Sequence, residues 1–207
     1  MTQYGFYIDS SRCTGCKTCE LACKDYNDLG PDIAFRKVMD FEGGMWTSDA
    51  NGCWTTDTFG YALSDGCNHC DNPACVEICP TGSLIKDEKT GFVGVDTATC
   101  IGCGSCTTAC PYGAPKLDDA ASVCVKCDGC KERVLAGGRP ICVDACPVRA
   151  LDFGVIDELR AAYGDLSDLA PLADSAMTGP NLVIKPPAAA DSPSIDTGFL
   201  ANPLEVA

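Results

Sequence analysis

Eighteen of the 207 residues are cysteine, and their spacing is the first feature of the chain that could do chemistry. Four groups account for all but two of them. The first is Cys13-x2-Cys16-x2-Cys19-x3-Cys23, and the second Cys67-x2-Cys70-x4-Cys75-x3-Cys79. The third is Cys100-x2-Cys103-x2-Cys106-x3-Cys110, and the fourth Cys127-x2-Cys130-x11-Cys142-x3-Cys146. A four-iron cube needs four thiolates arriving from tetrahedral directions. Cysteines at i, i+3 and i+6 curl a loop around three corners, with small residues between them keeping backbone N–H groups near the sulfides. The fourth cysteine starts a short helix and turns away to ligate the neighbouring cluster, as in two-cluster ferredoxins. Proline follows it in three groups, at Pro80, Pro111 and Pro147, and Lys24 stands there in the first. The spacing therefore predicts four 4Fe–4S clusters. Zinc uses isolated Cys-x2-Cys pairs that meet distant pairs or histidines, and disulfides between such near neighbours are geometrically disfavoured.

Three residues leave alternatives open. Cys124-x2-Cys127-x2-Cys130 repeats the same spacing, so Cys124 competes with Cys142 as a ligand of the fourth group. Cys53 reads as a small buried hydrophobe. His69, between Cys67 and Cys70, reads as a local hydrogen-bonding group rather than an iron ligand.

The elements that must hold these loops show an internal repeat. Asp9 and Asp96 each precede a cysteine group by four residues, behind the β-prone runs Phe6-Tyr7-Ile8 and Phe92-Val93-Gly94-Val95. Both groups continue Cys-x-Gly-Cys, with Gly15 and Gly102 in the same slot. The second and fourth groups close alike, as C-P-T-G-S-L from Cys79 and C-P-V-R-A-L from Cys146, each leading into an extended run. Strand, cysteine loop, short helix, cysteine loop, strand is the plan of a ferredoxin module, and the chain holds two. The predicted class is α+β: a double iron–sulfur domain over 1–154, an insertion at about 24–66, and a helix with an extended tail over 155–207 that docks on a partner. The insertion carries Tyr26, Phe35, Phe41, Trp46, Trp54, Phe59 and Tyr61 among turn residues and is expected to have some strand character. Val155 to Tyr163 reads as one helix with Ile156, Leu159 and Tyr163 inward. From Asp165 on, Pro171, Pro180, Pro186, Pro187, Pro193 and Pro203 argue against regular structure.

Fifteen basic against 29 acidic residues give a net charge of −14, which disfavours nucleic acid as a partner. The N-terminus shows no basic region before an apolar stretch, so no export signal of its own is expected. No apolar run reaches the length of a membrane span. Thiolates on metal are therefore a better reading of the cysteines than a secreted disulfide scaffold.

Several stretches then resemble a known family: Y-G-F-Y-I-D-S-S-R-C-T-G-C-K-T-C-E-L-A-C-K-D-Y from Tyr4, A-C-P-Y-G-A-P from Ala109, K-C-D-G-C from Lys126, P-I-C-V-D-A-C-P-V-R-A-L from Pro140, and the tail's N-L-V-I-K-P and G-F-L-A-N-P. They are similar to the four-cluster electron-transfer subunits of molybdopterin oxidoreductases, most of all the B subunits of the dimethyl sulfoxide reductase type. The resemblance implies a pairing of the first group with the fourth and the second with the third. Cys13, Cys16, Cys19 and Cys146 would hold one cluster, and Cys23, Cys127, Cys130 and Cys142 its neighbour. Cys67, Cys70, Cys75 and Cys110 would hold a third, and Cys79, Cys100, Cys103 and Cys106 a fourth. Relatives with tryptophan at the place of Cys103 carry a three-iron cluster; here the cysteine is present. The extra Cys53 and Cys124 and a more acidic, alanine-rich tail depart from the pattern.

The implied function is electron transfer, not catalysis: a relay between a membrane anchor that oxidises quinol and a large molybdopterin catalytic subunit, in anaerobic respiration. The Cys13 cluster would lie nearest the catalytic partner, its potential raised by Arg12, Lys17 and Lys24. Assembly would take place in the cytoplasm, with any export carried by a partner's twin-arginine signal. The alternative is a polyferredoxin-type carrier serving another redox enzyme. An enzyme in its own right lacks support, since there is one histidine and no nucleophile–base pair. A scaffold with structural clusters would not undergo reversible reduction.

Overall fold

The computed structural model describes residues 2–206. Strand β1 (Tyr4–Asp9) runs into the first cysteine loop and helix α1 (Thr18–Tyr26). The insertion supplies β2 (Lys37–Gly43), β3 (Trp46–Ser48), β4 (Trp54–Thr56) and β5 (Phe59–Asp65). The second and third groups carry α2 (Ala74–Glu77), the hairpin β6 (Leu84–Lys86) and β7 (Val93–Val95), and α3 (Ser105–Ala109). A second hairpin, β8 (Lys116–Asp118) and β9 (Val123–Val125), leads to α4 (Lys131–Leu135) and α5 (Ile141–Asp144). Then come β10 (Leu151–Val155) and α6 (Ile156–Tyr163), and from the tail β11 (Leu182–Lys185), β12 (Phe199–Leu200) and α7 (Pro203–Val206).

β1 is buried along nearly its whole length because it is a central strand. It pairs antiparallel with β10, Tyr4 opposite Val155 and Ile8 opposite Leu151, and parallel with β11, Phe6 opposite Leu182. The β1–β10 pairing brings the first and fourth cysteine groups together and encloses the second and third between them in sequence. The same nesting appears in the helices, where α1 packs on α5 and α2 on α3. Tyr4, Phe92 and Phe153 stack at 5.5–6.1 Å where the outer strands meet the inner hairpin, a large apolar contact that fixes one module on the other. The main core joins Phe6, Ile8, Leu63, Val143, Leu151 and Leu182.

The insertion is mainly sheet: β2 and β5 pair over their full length, from Lys37 opposite Asp65 to Gly43 opposite Phe59, while β3 and β4 form a separate exposed ribbon. α6 places Ile156 and Leu159 inward as expected. Tyr163 is partly exposed and stacks on Tyr7 at 3.8 Å.

The tail departs from the expectation of an irregular segment. It does have regular structure, and much of it folds onto this chain's own sheets. The prolines punctuate short elements instead of abolishing them: Pro180 precedes β11, Pro186 follows it, and Pro203 opens α7, where a missing N–H costs nothing. β11 is buried through Leu182, Val183 and Ile184. β12 pairs with β2, and the Asn202 side chain spans the same strand, accepting from the Asp40 N–H at 2.9 Å and donating to the Val38 carbonyl at 2.9 Å.

Candidate iron–sulfur cluster sites

All four cysteine groups bend their backbone the same way. The residue before the second cysteine has a left-handed conformation in each: Gly15 (φ 69°), His69 (43°), Gly102 (65°) and Gly129 (75°). That conformation costs an ordinary residue on the order of 1–2 kcal/mol, so glycine fills three of the four slots. A second left-handed residue follows the Cys-Pro closers, at Gly82, Gly113 and Arg149. These turns aim amide groups at sulfur. The N–H of Gly129 donates to Cys127 Sγ at 3.4 Å and that of Ala150 to Cys146 Sγ at 3.2 Å, while strand β9 supplies the Cys124 N–H to Cys100 Sγ at 3.3 Å.

The thiols fall into four sets, each drawing three cysteines from one group and one from its partner. Cys13 feels Cys16, Cys19 and Cys146. Cys23 feels Cys127, Cys130 and Cys142. Cys67, Cys70, Cys75 and Cys110 line one largely apolar cavity, and Cys79, Cys100, Cys103 and Cys106 line another, together with Cys124. Cys124 thus sits in a different place from Cys127 and Cys130, while Cys142 keeps company with them. Cys53 is exposed on the insertion, not buried as its type suggested.

These donor sets fit a thiolate-bound cube. All eighteen cysteines are free thiols. Among the described residues no three metal-ligating side chains converge on one point; the thiols of the third and fourth sets stand around cavities, as corners of a larger group would. Burial pushes Cys70 up to about 11 and Cys75 and Cys130 up to about 12, so their thiolates need iron to compensate them. Cys79 is instead held down to about 6, chiefly by the Leu84 N–H and with help from the Thr81 hydroxyl. Cys16 and Cys103 are lowered likewise by Thr18 and Ser105, the hydroxyl two residues on in each case.

Two buried cations bridge the sets, and cysteine spacing gave no hint of the first. Arg36 is buried beside Cys142, Cys19 and Cys127, which belong to the first two sets. It donates to the Ser64 carbonyl at 3.0 Å and lies over the Phe6 ring at 4.7 Å. Lys126 is buried between Cys67 and Cys127, of the third and second sets, and donates to the Cys127 carbonyl at 2.6 Å. His69 joins the same junction: its Nδ1 accepts from the Val93 N–H at 2.9 Å, and burial, its largest influence, keeps the ring neutral, with Cys127 nearby. Of the cations expected at the first group, Lys17 is drawn to Glu205 and Lys24 to the Pro31 and Ile33 carbonyls.

A family model described as a 4Fe–4S dicluster domain matches residues 58–156, and one described as a 4Fe–4S binding domain matches residues 4–25. The B subunit of anaerobic dimethyl sulfoxide reductase from Escherichia coli (strain K12) is 57% identical over 205 residues, 99% of each protein. Its counterpart of the same name in Haemophilus influenzae is 54% identical over 206 residues, 100% of each. The protein belongs to the family of anaerobic dimethyl sulfoxide reductase B subunits. A more distant relative, the iron-sulfur subunit of the nitrate-inducible formate dehydrogenase of Escherichia coli, is 33% identical over 165 residues, 73% of this chain and 54% of its own. As a member of that family it is an iron–sulfur electron-transfer subunit and not itself a catalyst. No helix among the described residues is long and apolar enough to cross a membrane.

Proposed function

We propose that the protein carries four 4Fe–4S clusters and relays electrons between a membrane anchor that oxidises quinol and the molybdopterin catalytic subunit of a dimethyl sulfoxide reductase-type complex. The observation that carries the reading is the sorting of sixteen thiols into four sets of four. The ligands are Cys13, Cys16, Cys19 and Cys146 for the first cluster and Cys23, Cys127, Cys130 and Cys142 for the second. Cys67, Cys70, Cys75 and Cys110 hold the third, and Cys79, Cys100, Cys103 and Cys106 the fourth.

When bound, each cluster accepts and returns one electron. The chain's own part is to keep the clusters close and in order, because tunnelling is efficient only across short gaps. α1 carries Cys19 of the first set and Cys23 of the second. α2 carries Cys75 of the third and leads to Cys79 of the fourth. Lys126 ties the second set to the third. The resulting order is first, second, third, fourth, with the Cys13 end toward the catalytic subunit by family resemblance. Amide-to-sulfur hydrogen bonds and buried cations favour the more negative reduced state and raise potentials.

Docking falls to the exposed apolar residues of the insertion and tail. Trp46 and Trp54 on the β3–β4 ribbon are 61% and 65% exposed, and Phe199 and Leu204 project from the tail. A lone electron carrier has no use for such surface. The complex assembles in the cytoplasm, and any passage across the membrane depends on a twin-arginine signal of the large subunit. Elemental analysis of the anaerobically isolated complex tests the cluster count: about sixteen iron and sixteen sulfide per chain are expected. Eight iron, or stoichiometric zinc, overturns it. Copurification with a large pterin-containing subunit separates this assignment from a free polyferredoxin.

A further inference from the structure

The cavity of the fourth set differs from that of the third in having a fifth thiol. Cys124 is the middle residue of β9, whose pairing with β8 sets Leu117 opposite Cys124. Strand alternation leaves Val123 and Val125 half-buried and turns Cys124 inward, where it is 1% exposed and packs with Cys106 in one apolar cluster. Its backbone N–H holds Cys100 Sγ at 3.3 Å, and its side chain lines the same cavity as Cys106. The Val125 carbonyl, at 3.8 Å, offers that thiol a weak partner. This is no stray cysteine in an apolar core: two of the four ligand sulfurs are its immediate polar neighbours.

We propose that Cys124 is a reserve ligand of the fourth cluster, able to take the iron held by Cys106. The assignment rests on the reading that this set binds a four-iron cube. In the exchange, the iron bond to Cys106 sulfur breaks and a bond to Cys124 sulfur forms. The Cys124 proton passes to the departing Cys106 thiolate, and no electron changes hands. Charge in the buried site is conserved, so no counter-ion has to enter. The place suits the role. This set includes the exposed Cys103 and the half-buried Cys79 and Cys100, with Ile101 exposed between them, so solvent and oxidants reach it readily. Where Cys106 is absent from the outset, Cys124 releases its proton to solvent as the cluster assembles.

The test compares Cys106→Ala, Cys106→Ala/Cys124→Ala and Cys103→Ala in the anaerobically purified complex, by iron content and electron paramagnetic resonance. Cys106→Ala should keep the parent's iron and show no three-iron signal. The double variant should lose about one iron per chain and show that signal. Cys103→Ala should do the same, since Cys124 neighbours Cys106 and Cys100 instead. Equal iron content and spectra in Cys106→Ala and the double variant overturn the proposal, whether both keep the cluster, both lose iron or both fail to assemble. A four-iron spectrum in Cys103→Ala overturns the assignment to Cys106. Low iron in the parent itself counts against the four-cluster reading, not against the ligand exchange.

Discussion

Arg36 is a buried cation set against thiols of two sets. A buried charge is costly unless paired, and here the thiolates and their clusters supply the counter-charge. With an effective dielectric of about 20 and a separation on the order of 8 Å, one charge is worth about 2 kcal/mol, or roughly 90 mV for one electron. Arg36→Gln should therefore lower the potentials of the first two clusters by about that amount and leave the third and fourth nearly unchanged. Lys126→Gln should act instead on the second and third. Redox titration followed by electron paramagnetic resonance reads both, and equal shifts of all four clusters for either variant would contradict the siting. Cys53→Ala, at an exposed position on the insertion, should change neither iron content nor potentials. The four cysteine groups were legible in the sequence because metal spacing is a strict code. Arg36 was not, since a single arginine between Phe35 and Lys37 has no periodic signal and its role comes from long-range packing.

At the scale of elements, the recurring left-handed slot explains why four loops of different sequence share one shape, and it makes unequal demands. A Cβ on Gly102 would meet the Ser122 carbonyl oxygen at 2.4 Å, whereas one on Gly15 would meet the Asp40 side chain at 3.3 Å. Gly102→Ala should accordingly cost more than the ~1–2 kcal/mol of backbone strain and deplete the fourth cluster, while Gly15→Ala should be milder. Iron content and thermal unfolding of the two variants make the comparison. The helix crossings give a second outcome. Cys23 leaves α1 toward Cys127, Cys130 and Cys142, so Cys23→Ser should alter that cluster's spectrum and spare the one at Cys13. Damage confined to the Cys13 cluster would reverse the pairing. Cysteine loops and α6 were readable because metal spacing and helical period are local. β11 was not: Asn181-Leu-Val-Ile-Lys185 is short and proline-flanked, and its strand state comes from the open edge of β1, which local sequence does not reveal.

For the whole molecule, the chain closes on itself twice: β10 returns to β1 across one module, and β11 returns to the same strand from the tail. The tail is therefore structural before it is a docking arm. Thr178 Oγ1 lies 3.2 Å from Cys70 Sγ, and the Asn181 side chain donates to the His69 carbonyl at 2.9 Å, so tail residues also support the third site. Leu182, Val183 and Ile184 are fully buried. At about 1.5–3 kcal/mol for each such side chain, losing them removes roughly 5–9 kcal/mol, comparable to the ~5–15 kcal/mol that holds a domain together. Ending the chain after Ala170 should thus abolish assembly with clusters, not merely weaken partner binding. Ending it after Pro187 retains β11 and the contacts at the third site, and removes β12, α7 and the exposed Phe199 and Leu204. That shorter loss should leave iron content near the parent's while reducing copurification with the large subunit several-fold. Full iron in the Ala170 truncation would show that the third strand is dispensable. Undiminished copurification of the Pro187 truncation would move the docking surface off the tail and onto the tryptophan ribbon alone.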